Sequence, residues 1–561
     1  MDRLPFTGSP RRPKLPKPDA WVDRFWVLGL LLAALLLFAI GLGDVPLRDW
    51  DEGIVARVAQ EIAEAPDGSL RWLYPTLWGE PYLNKPPLVH GFIALTYKIG
   101  GVNEWTARLF PALLTAMSVP VLYGIARELF FRRTPAIFAA LIYLTLLPVA
   151  RHGRLAMLDG AVLCFWLLLV LCLLRSRRDL RYSLGVGLSF AAICLTKGAI
   201  GVLLLAIAAV FVAWDIPRLL TSWYMWGGLL LGSVPVAAWY AAQWSHYGDA
   251  FLSAHLISQS LERLWQPVED NSGAPWYYLL EVLKYAWPWL LFVPQSLKLT
   301  WDNQNMGWAK LILAWSGSYF AIISLMGTKL PWYVLPVYPA LALATGTYLA
   351  EIWQPSAFTG MPREIPLPYP RSWIVILGLL ATGSLVGSVY FSIWKSQVQT
   401  LTVESFHLSI LLAMVALTMA VAGFLVVRRD AQFLLVLFWG MYLSLLLFFT
   451  SEHWVWELNE DYPVQPVAQM VQEYVPADAT VYTSHPHHRP SLNFYSDRQV
   501  IPVSDAQLRG QWKQEESPYL LVSASVRESL SLDSVKLLDR EVGWQLVTRK
   551  SGASEEDGDR E

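Results

Sequence analysis

Apolar runs recur from residue 25 to residue 450 of this chain, and most reach the length needed to cross a bilayer, about 20 residues each. Lipid offers no partner to a bare peptide group, so each run must satisfy its own backbone as a helix. Spans are expected near residues 25–43, 108–126, 134–150, 159–174, 182–196, 199–214, 223–242, 279–297, 309–326, 333–352, 372–392, 407–427 and 432–450, about thirteen in all. Composition agrees: 55% of the 561 residues are hydrophobic and only 16% charged, a balance that excludes a soluble globular chain and fits a polytopic α-helical membrane protein. The net charge of -2 carries no electrostatic footprint for nucleic acid. Cys164, Cys172 and Cys194 all fall inside apolar runs and read as small buried hydrophobes. The first run lacks a small-residue cleavage site and is read as a retained span.

Basic clusters fall on alternate loops: Arg11, Arg12, Lys14, Lys17 and Arg24; Arg127 with Arg132 and Arg133; Arg175 to Arg181; Lys298 with Lys310; Arg363 with Arg371; and Arg428 with Arg429. By the positive-inside rule these loops face the cytoplasm, and an odd number of spans leaves the C-terminus outside. The expected organisation is a basic cytoplasmic stretch 1–24, a transmembrane domain 25–450, an outer-face α/β domain 451–550 and a disordered end 551–561. Within the first outer loop, 44–107, residues 54–65 and 88–97 repeat apolar positions at helical spacing, as helices lying on a membrane surface do. In the tail, an amphipathic stretch 466–474 is followed by strand-like runs at 480–482, 500–503, 519–522 and 544–547. No internal repeat marks an inverted-repeat transporter.

Sorting polar residues by side of the membrane collects Asp51, Glu52, Tyr82, Lys85, Arg154, Asp159, Lys197, Arg263 and Lys329 at the outer face, from five separate loops. Ionisable groups so close to hydrocarbon are costly and point to function. Cations that hold a phosphate and a carboxylate that takes a hydroxyl proton suit a lipid-phosphate substrate. Each residue alone also has a plain structural role. Asp51 and Glu52 can start a helix, Lys85 can snorkel, Asp159 can pair with Arg154, Lys197 can sit in a turn, and Lys329 can flank a span. His485-Pro486-His487-His488 reads as a solvated loop rather than a metal site. No phosphate loop, nucleophile elbow or His-Glu-x-x-His motif occurs.

The stretches Asp51-Glu52, Gly79-Glu-Pro-Tyr-Leu-Asn-Lys-Pro-Pro87, Gly101-Val-Asn-Glu-Trp-Thr-Ala-Arg-Leu109, Arg154-Leu-Ala-Met-Leu-Asp159, Thr196-Lys-Gly198, Pro275-Trp-Tyr-Tyr278 and Thr328-Lys-Leu-Pro-Trp-Tyr-Val-Leu-Pro336 carry a resemblance over roughly residues 20–340. Together they resemble the GT-C superfamily of lipid-linked-sugar glycosyltransferases, in particular the bacterial aminoarabinose transferases and related protein mannosyltransferases. The resemblance implies inverting transfer from a polyprenyl (undecaprenyl-type) phosphate sugar to a glycolipid, polysaccharide or protein hydroxyl, on the outer face of the bacterial inner membrane. It implies Asp51 as the base, with Glu52 beside it and Asp159 as a second acid. Lys85, Tyr82, Arg263, Lys329 and Lys197 are implied to hold the donor phosphate. Two departures stand out. Gly53-Ile54-Val55 replaces the family's Ala-Arg-Tyr, leaving Arg57 to stand in for its arginine. Asn84 and Asn271-Ser272 replace a Glu and a His associated with metal, so no residue is assigned as a metal ligand, a divalent metal stays open, and the aminoarabinose substrate is not carried over. A transporter or flippase of an anionic or lipid-linked solute is the alternative reading.

Overall fold

The structure is a computed structural model that describes residues 18–267, 271–354, 369–394, 403–456 and 462–550. The stretch 551–561 and most of the basic N-terminal cluster lie outside the described residues. Among the described residues, seven helices are long and apolar enough to cross a membrane, and shorter apolar helices such as Tyr182–Lys197, Ile200–Asp215 and Phe433–Phe449 accompany them. Asp159–Arg175, apolar over nearly its whole length, is buried among them. Trp166, Trp289 and Trp315 are fully buried in this bundle, and Trp166 meets Trp315 edge-to-face at 5.2 Å. Small residues let helices approach closely: a Cβ on Gly187 would lie 1.7 Å from the carbonyl oxygen of Gly228.

Two expected spans are broken. Residues 279–297 form Tyr277–Tyr285, a 3₁₀ turn Trp289–Phe292 and a separate helix Val293–Asp302. Pro288 has no amide hydrogen to continue the first helix, and Pro294 suits only the first turn of the next. Residues 134–150 likewise divide into Thr134–Leu144 and Leu147–His152, with Pro148 in the first turn of the second piece.

The loop 44–107 is folded. It contains the helices Asp51–Ala63 and Leu88–Gly100 and a hairpin of β1 (Thr76–Leu77) and β2 (Glu80–Pro81). The two hairpin residues between the strands, Trp78 and Gly79, have φ of 58° and 78°, the signature of a type I′ turn. A buried ion pair ties the loop down. Arg108, on the helix Glu104–Leu129, donates through Nε and Nη2 to Glu52 at 2.8 Å each, and also to the carbonyls of Leu42, Val45 and Pro46.

The tail carries a five-stranded sheet of β3 (Val481–Thr483), β4 (Val500–Pro502), β5 (Tyr519–Ser523), β6 (Val535–Glu541) and β7 (Trp544–Arg549), in the order β4-β3-β5-β7-β6. β3 pairs in parallel with β4 and β5, and β7 pairs antiparallel with β5 and β6. The strand-like runs coincide with β3, β4, β5 and β7. β6 escaped because Lys536, Asp539, Arg540 and Glu541 dilute its apolar positions along this edge of the sheet.

The sheet domain is fastened to the loop 44–107. Arg489 and Ser491 donate to Asp49; Tyr495 accepts from the Leu47 amide at 2.7 Å and donates to Glu104 at 3.0 Å; Arg57 pairs with Asp497 at 2.6 Å. At the contact, a Cβ on Gly53 would lie 2.7 Å from both the carbonyl carbon of Pro490 and the amide of Ser491. This explains glycine at one departure from the family pattern: no larger residue fits under that backbone. Gly53→Ala is expected to lower stability by about 1–3 kcal/mol through overpacking and to loosen the tail, which thermal melting together with limited proteolysis would register.

Candidate active site

The Asp51–Ala63 helix begins at Trp50 with no side-chain cap, so its first two acids are free for other partners. They diverge. Glu52 is completely buried and accepts from Arg108, from the Ala156 amide at 2.6 Å and from the Arg48 amide at 2.8 Å. Expected beside Asp51 in catalysis, Glu52 instead faces the bundle and is consumed by structure. Burial would raise its pKa, but Arg108 and these hydrogen bonds bring it below the ordinary range. Asp51 turns the other way, onto the wall of a cavity of about 630 Å³.

That cavity brings together Asp51, Tyr82, Lys85, Asp159, Lys197 and Arg263. Lys197, at the end of its helix, donates to both carboxylate oxygens of Asp159, at 2.7 and 2.8 Å. Asp159 therefore pairs with Lys197 rather than with Arg154, whose guanidinium is spent on the Leu37 and Ile40 carbonyls. Lys85 and Arg263 converge on one neutral acceptor, the Gln259 side-chain oxygen, at 3.0 and 2.9 Å. Arg263 also donates to the Tyr333 hydroxyl at 3.0 Å, and its Nε is buried with no partner among the described residues. Two cations held together by an amide, not a carboxylate, form a receptor for an anion.

Electrostatics follow from this crowding. Burial first, then the positive charges of Arg263 and Lys197, pull Lys85 down to about 7. Burial raises the Asp51 carboxyl, while Arg48, Lys197 and Lys85 draw it back. No side chain among the described residues hydrogen-bonds Asp51, so it stays open to a ligand in the cavity.

Lys329 is not on the cavity wall. Its ammonium donates to the Ile323 and Ser324 carbonyls at 3.0 and 2.7 Å, closing the end of the helix Ser318–Leu325. It was expected to hold phosphate; it caps instead. Arg57 stacks on Trp78 and pairs with Glu61 and Asp497, away from this cavity. Sequence reasoning missed Arg48, Gln259, Tyr333 and His487, which also line it. Arg48, a cation in a loop read as outer, was a usable signal, and Gln259 lies four residues before Arg263 on one helical face. Asn84 and Asn271 line the cavity too, and among the described residues no group of three or more His, Cys, Asp or Glu could hold a metal ion. Neutral amides are poor substitutes for a Glu and a His, so no step is derived through a metal.

The architecture matches a solved one. The crystal structure of ArnT from Cupriavidus metallidurans bound to undecaprenyl phosphate superposes with a TM-score of 0.73 at 19% identity, covering 93% of this chain and 98% of that one. The chain has the GT-C fold. The archaeal oligosaccharyltransferase AglB from Archaeoglobus fulgidus superposes more distantly, with a TM-score of 0.52 at 12% identity over 90% of this chain and 70% of that one. A family model described as dolichyl-phosphate-mannose-protein mannosyltransferase matches residues 84–241. An undecaprenyl phosphate-alpha-4-amino-4-deoxy-L-arabinose arabinosyl transferase of Pseudomonas fluorescens is 29% identical over 344 residues, 59% of this chain and 61% of that relative. A protein of the same name from Aeromonas salmonicida is 29% identical over 337 residues, 57% of this chain and 58% of its own length. The chain thus spans about six tenths of the length of the curated relatives it matches. The resemblance to GT-C lipid-linked-sugar glycosyltransferases read from the motifs therefore stands.

Proposed function

We propose that this chain is an integral-membrane glycosyltransferase that moves a sugar from an undecaprenyl-type polyprenyl phosphate to an acceptor hydroxyl, with inversion at the anomeric carbon. The observation that carries the reading is one cavity in which Asp51 shares walls with Lys85, Lys197 and Arg263. Among the described residues four cations face two carboxylates there, an excess suited to a lipid phosphate. Lys85 and Arg263 hold the phosphate, with Tyr82 beside them. Lys197 and Asp159 form a paired wall that fixes the cavity's shape. Asp51 accepts the acceptor's proton as its oxygen bonds to the anomeric carbon, and the sugar–phosphate bond breaks with its electrons passing to the phosphate. The leaving group is already good, so positioning and charge neutralisation supply most of the acceleration.

In this reading an odd number of crossings places the N-terminus in the cytoplasm, and the loop 44–107 and the 451–550 domain on the outer face of the inner membrane. The donor reaches the cavity sideways from the bilayer. The transporter alternative gains nothing from the relatives, which are named as transferases. Incubating the purified chain in lipid with radiolabelled polyprenyl-phosphate sugars and envelope extract tests the proposal: label should pass covalently to an acceptor, and unreacted donor throughout would sink it.

Donor binding should depend on pH through Lys85. Its pKa of about 7 lies below that of a free lysine, so above pH 7 the empty site holds it neutral. A phosphodiester donor, whose single charge does not titrate in this range, favours the ammonium and draws in a proton. Affinity is therefore highest below pH 7 and falls as pH rises through it, by at most about tenfold per pH unit. Lys85→Arg stays charged and should flatten this slope, whereas Lys85→Ala should weaken donor binding about 10- to 100-fold. Isothermal titration across pH checks both.

A further inference from the structure

A second hollow of about 250 Å³ adjoins the cavity, between the Asp51–Ala63 helix and the tail domain. Trp50 and Ile54 line both spaces, so the two meet at the residues flanking Asp51. On one side Trp50, Gly53, Ile54 and Arg57 form a single stripe of the helix; on the other stand Asn493, Gln499 and His488 from the tail. The hairpin adds Trp78, whose ring carries the Arg57 guanidinium at 3.7 Å and whose amide donates to Glu61 at 2.5 Å.

The two tryptophans share a left-handed backbone, which at Trp78 is the one its type I′ turn demands. Trp50 has φ of 60° and Trp78 φ of 58°, a left-handed backbone that bulky residues rarely adopt. Strain of this kind persists where the surroundings enforce it, and it collects at ligand sites. Trp50 lies outside the hairpin, and it and Trp78 put two indoles on the same groove. Indole faces, a planar amide and an imidazole are the surfaces that meet a sugar ring: C–H bonds lie on the aromatic rings and hydroxyls find the polar edges. A peptide strand fits less well, because β4, the edge strand beside the groove, is three residues long and ends in Pro502, which has no amide hydrogen to offer.

We propose that this groove is a saccharide subsite for the acceptor, holding a sugar ring adjacent to the one that presents its hydroxyl to Asp51. The proposal rests on the transferase reading and narrows it to acceptors that carry glycan. Its test uses the full chain in lipid nanodiscs and saturation-transfer NMR with methyl glucoside, methyl glucosaminide and a serine tripeptide, with undecaprenyl phosphate binding measured in parallel. The unsubstituted chain and Asp51→Asn should bind at least one glycoside equally. Trp78→Ala and Gln499→Ala should each bind it about tenfold more weakly, with undecaprenyl phosphate affinity unchanged and the chain still folded. Glycosides that bind neither the chain nor its variants, or that bind all of them alike, overturn the subsite. Tripeptide binding that depends on Trp78 overturns it in favour of a peptide groove. Absence of any transfer alongside Trp78-dependent glycoside binding would instead remove the transferase reading and leave the subsite standing.

Discussion

Asp51→Asn lowers sugar transfer by about 10²–10⁴-fold, the usual contribution of a general base, while donor affinity stays within the error of the measurement. The amide keeps the size of the carboxylate and leaves Lys85, Gln259 and Arg263 in contact with one another. What it removes is the only carboxylate on the cavity wall, among the described residues, that no cation has already claimed through a hydrogen bond. Burial raises the Asp51 carboxyl above its ordinary range, so the unsubstituted chain should lose transfer on the acid side as this group takes up a proton. Residual activity of the variant should lack that acid limb. Initial rates at saturating donor across pH, with donor binding measured separately, check the prediction. Full activity in the variant removes Asp51 as the base.

The largest loss of stability is expected from Arg108→Ala. Its guanidinium and the Glu52 carboxylate are both fully shielded from solvent, and breaking such a pair by removing one partner costs about 3–5 kcal/mol. Here the cost is compounded, since the carbonyls of Leu42, Val45 and Pro46 also lose their donor. Thermal unfolding in detergent should show a collapse in melting temperature and in folded yield. Exchanging both partners for neutral residues, Glu52→Gln with Arg108→Met, should recover part of the loss, because no charge is then stranded. The pH dependence has a definite sign: Glu52 titrates below the ordinary glutamate range, so the pair contributes fully at neutral pH. That contribution fades as pH falls through the ordinary glutamate range toward the depressed value.

The contrast between Asp51 and Glu52 marks where the sequence stopped being readable. Both are acids at the start of one helix, and only a turn of about 100° per residue separates a cavity wall from a buried clamp. Nothing in the local sequence says which way that helix is rotated. Lys329 shows the same limit: charge sorted by side of the membrane cannot tell a ligand-facing lysine from one that closes a helix end four residues back. Gln259 escaped because its amide does not ionise, whereas every residue gathered at the outer face does. Spans were legible wherever apolar length was uninterrupted, as at Glu104–Leu129 and Trp223–Tyr247. Hydropathy averaged over Pro288 and Pro294, and so hid the break between Tyr277–Tyr285 and Val293–Asp302. In the tail, apolar runs betrayed β3, β4, β5 and β7, while the charges of β6 concealed it.

The missing side chain at Gly53, with the Pro490 backbone seated where it would stand, has a consequence for descent. Neither surface can drift alone, since a methyl group gained on the helix must be matched by retreat of the other segment. Grafting the tail of a distant cousin onto this bundle should therefore fail unless residues 47–57 travel with it. Diversification of such proteins would proceed by inheriting the two pieces as a matched set.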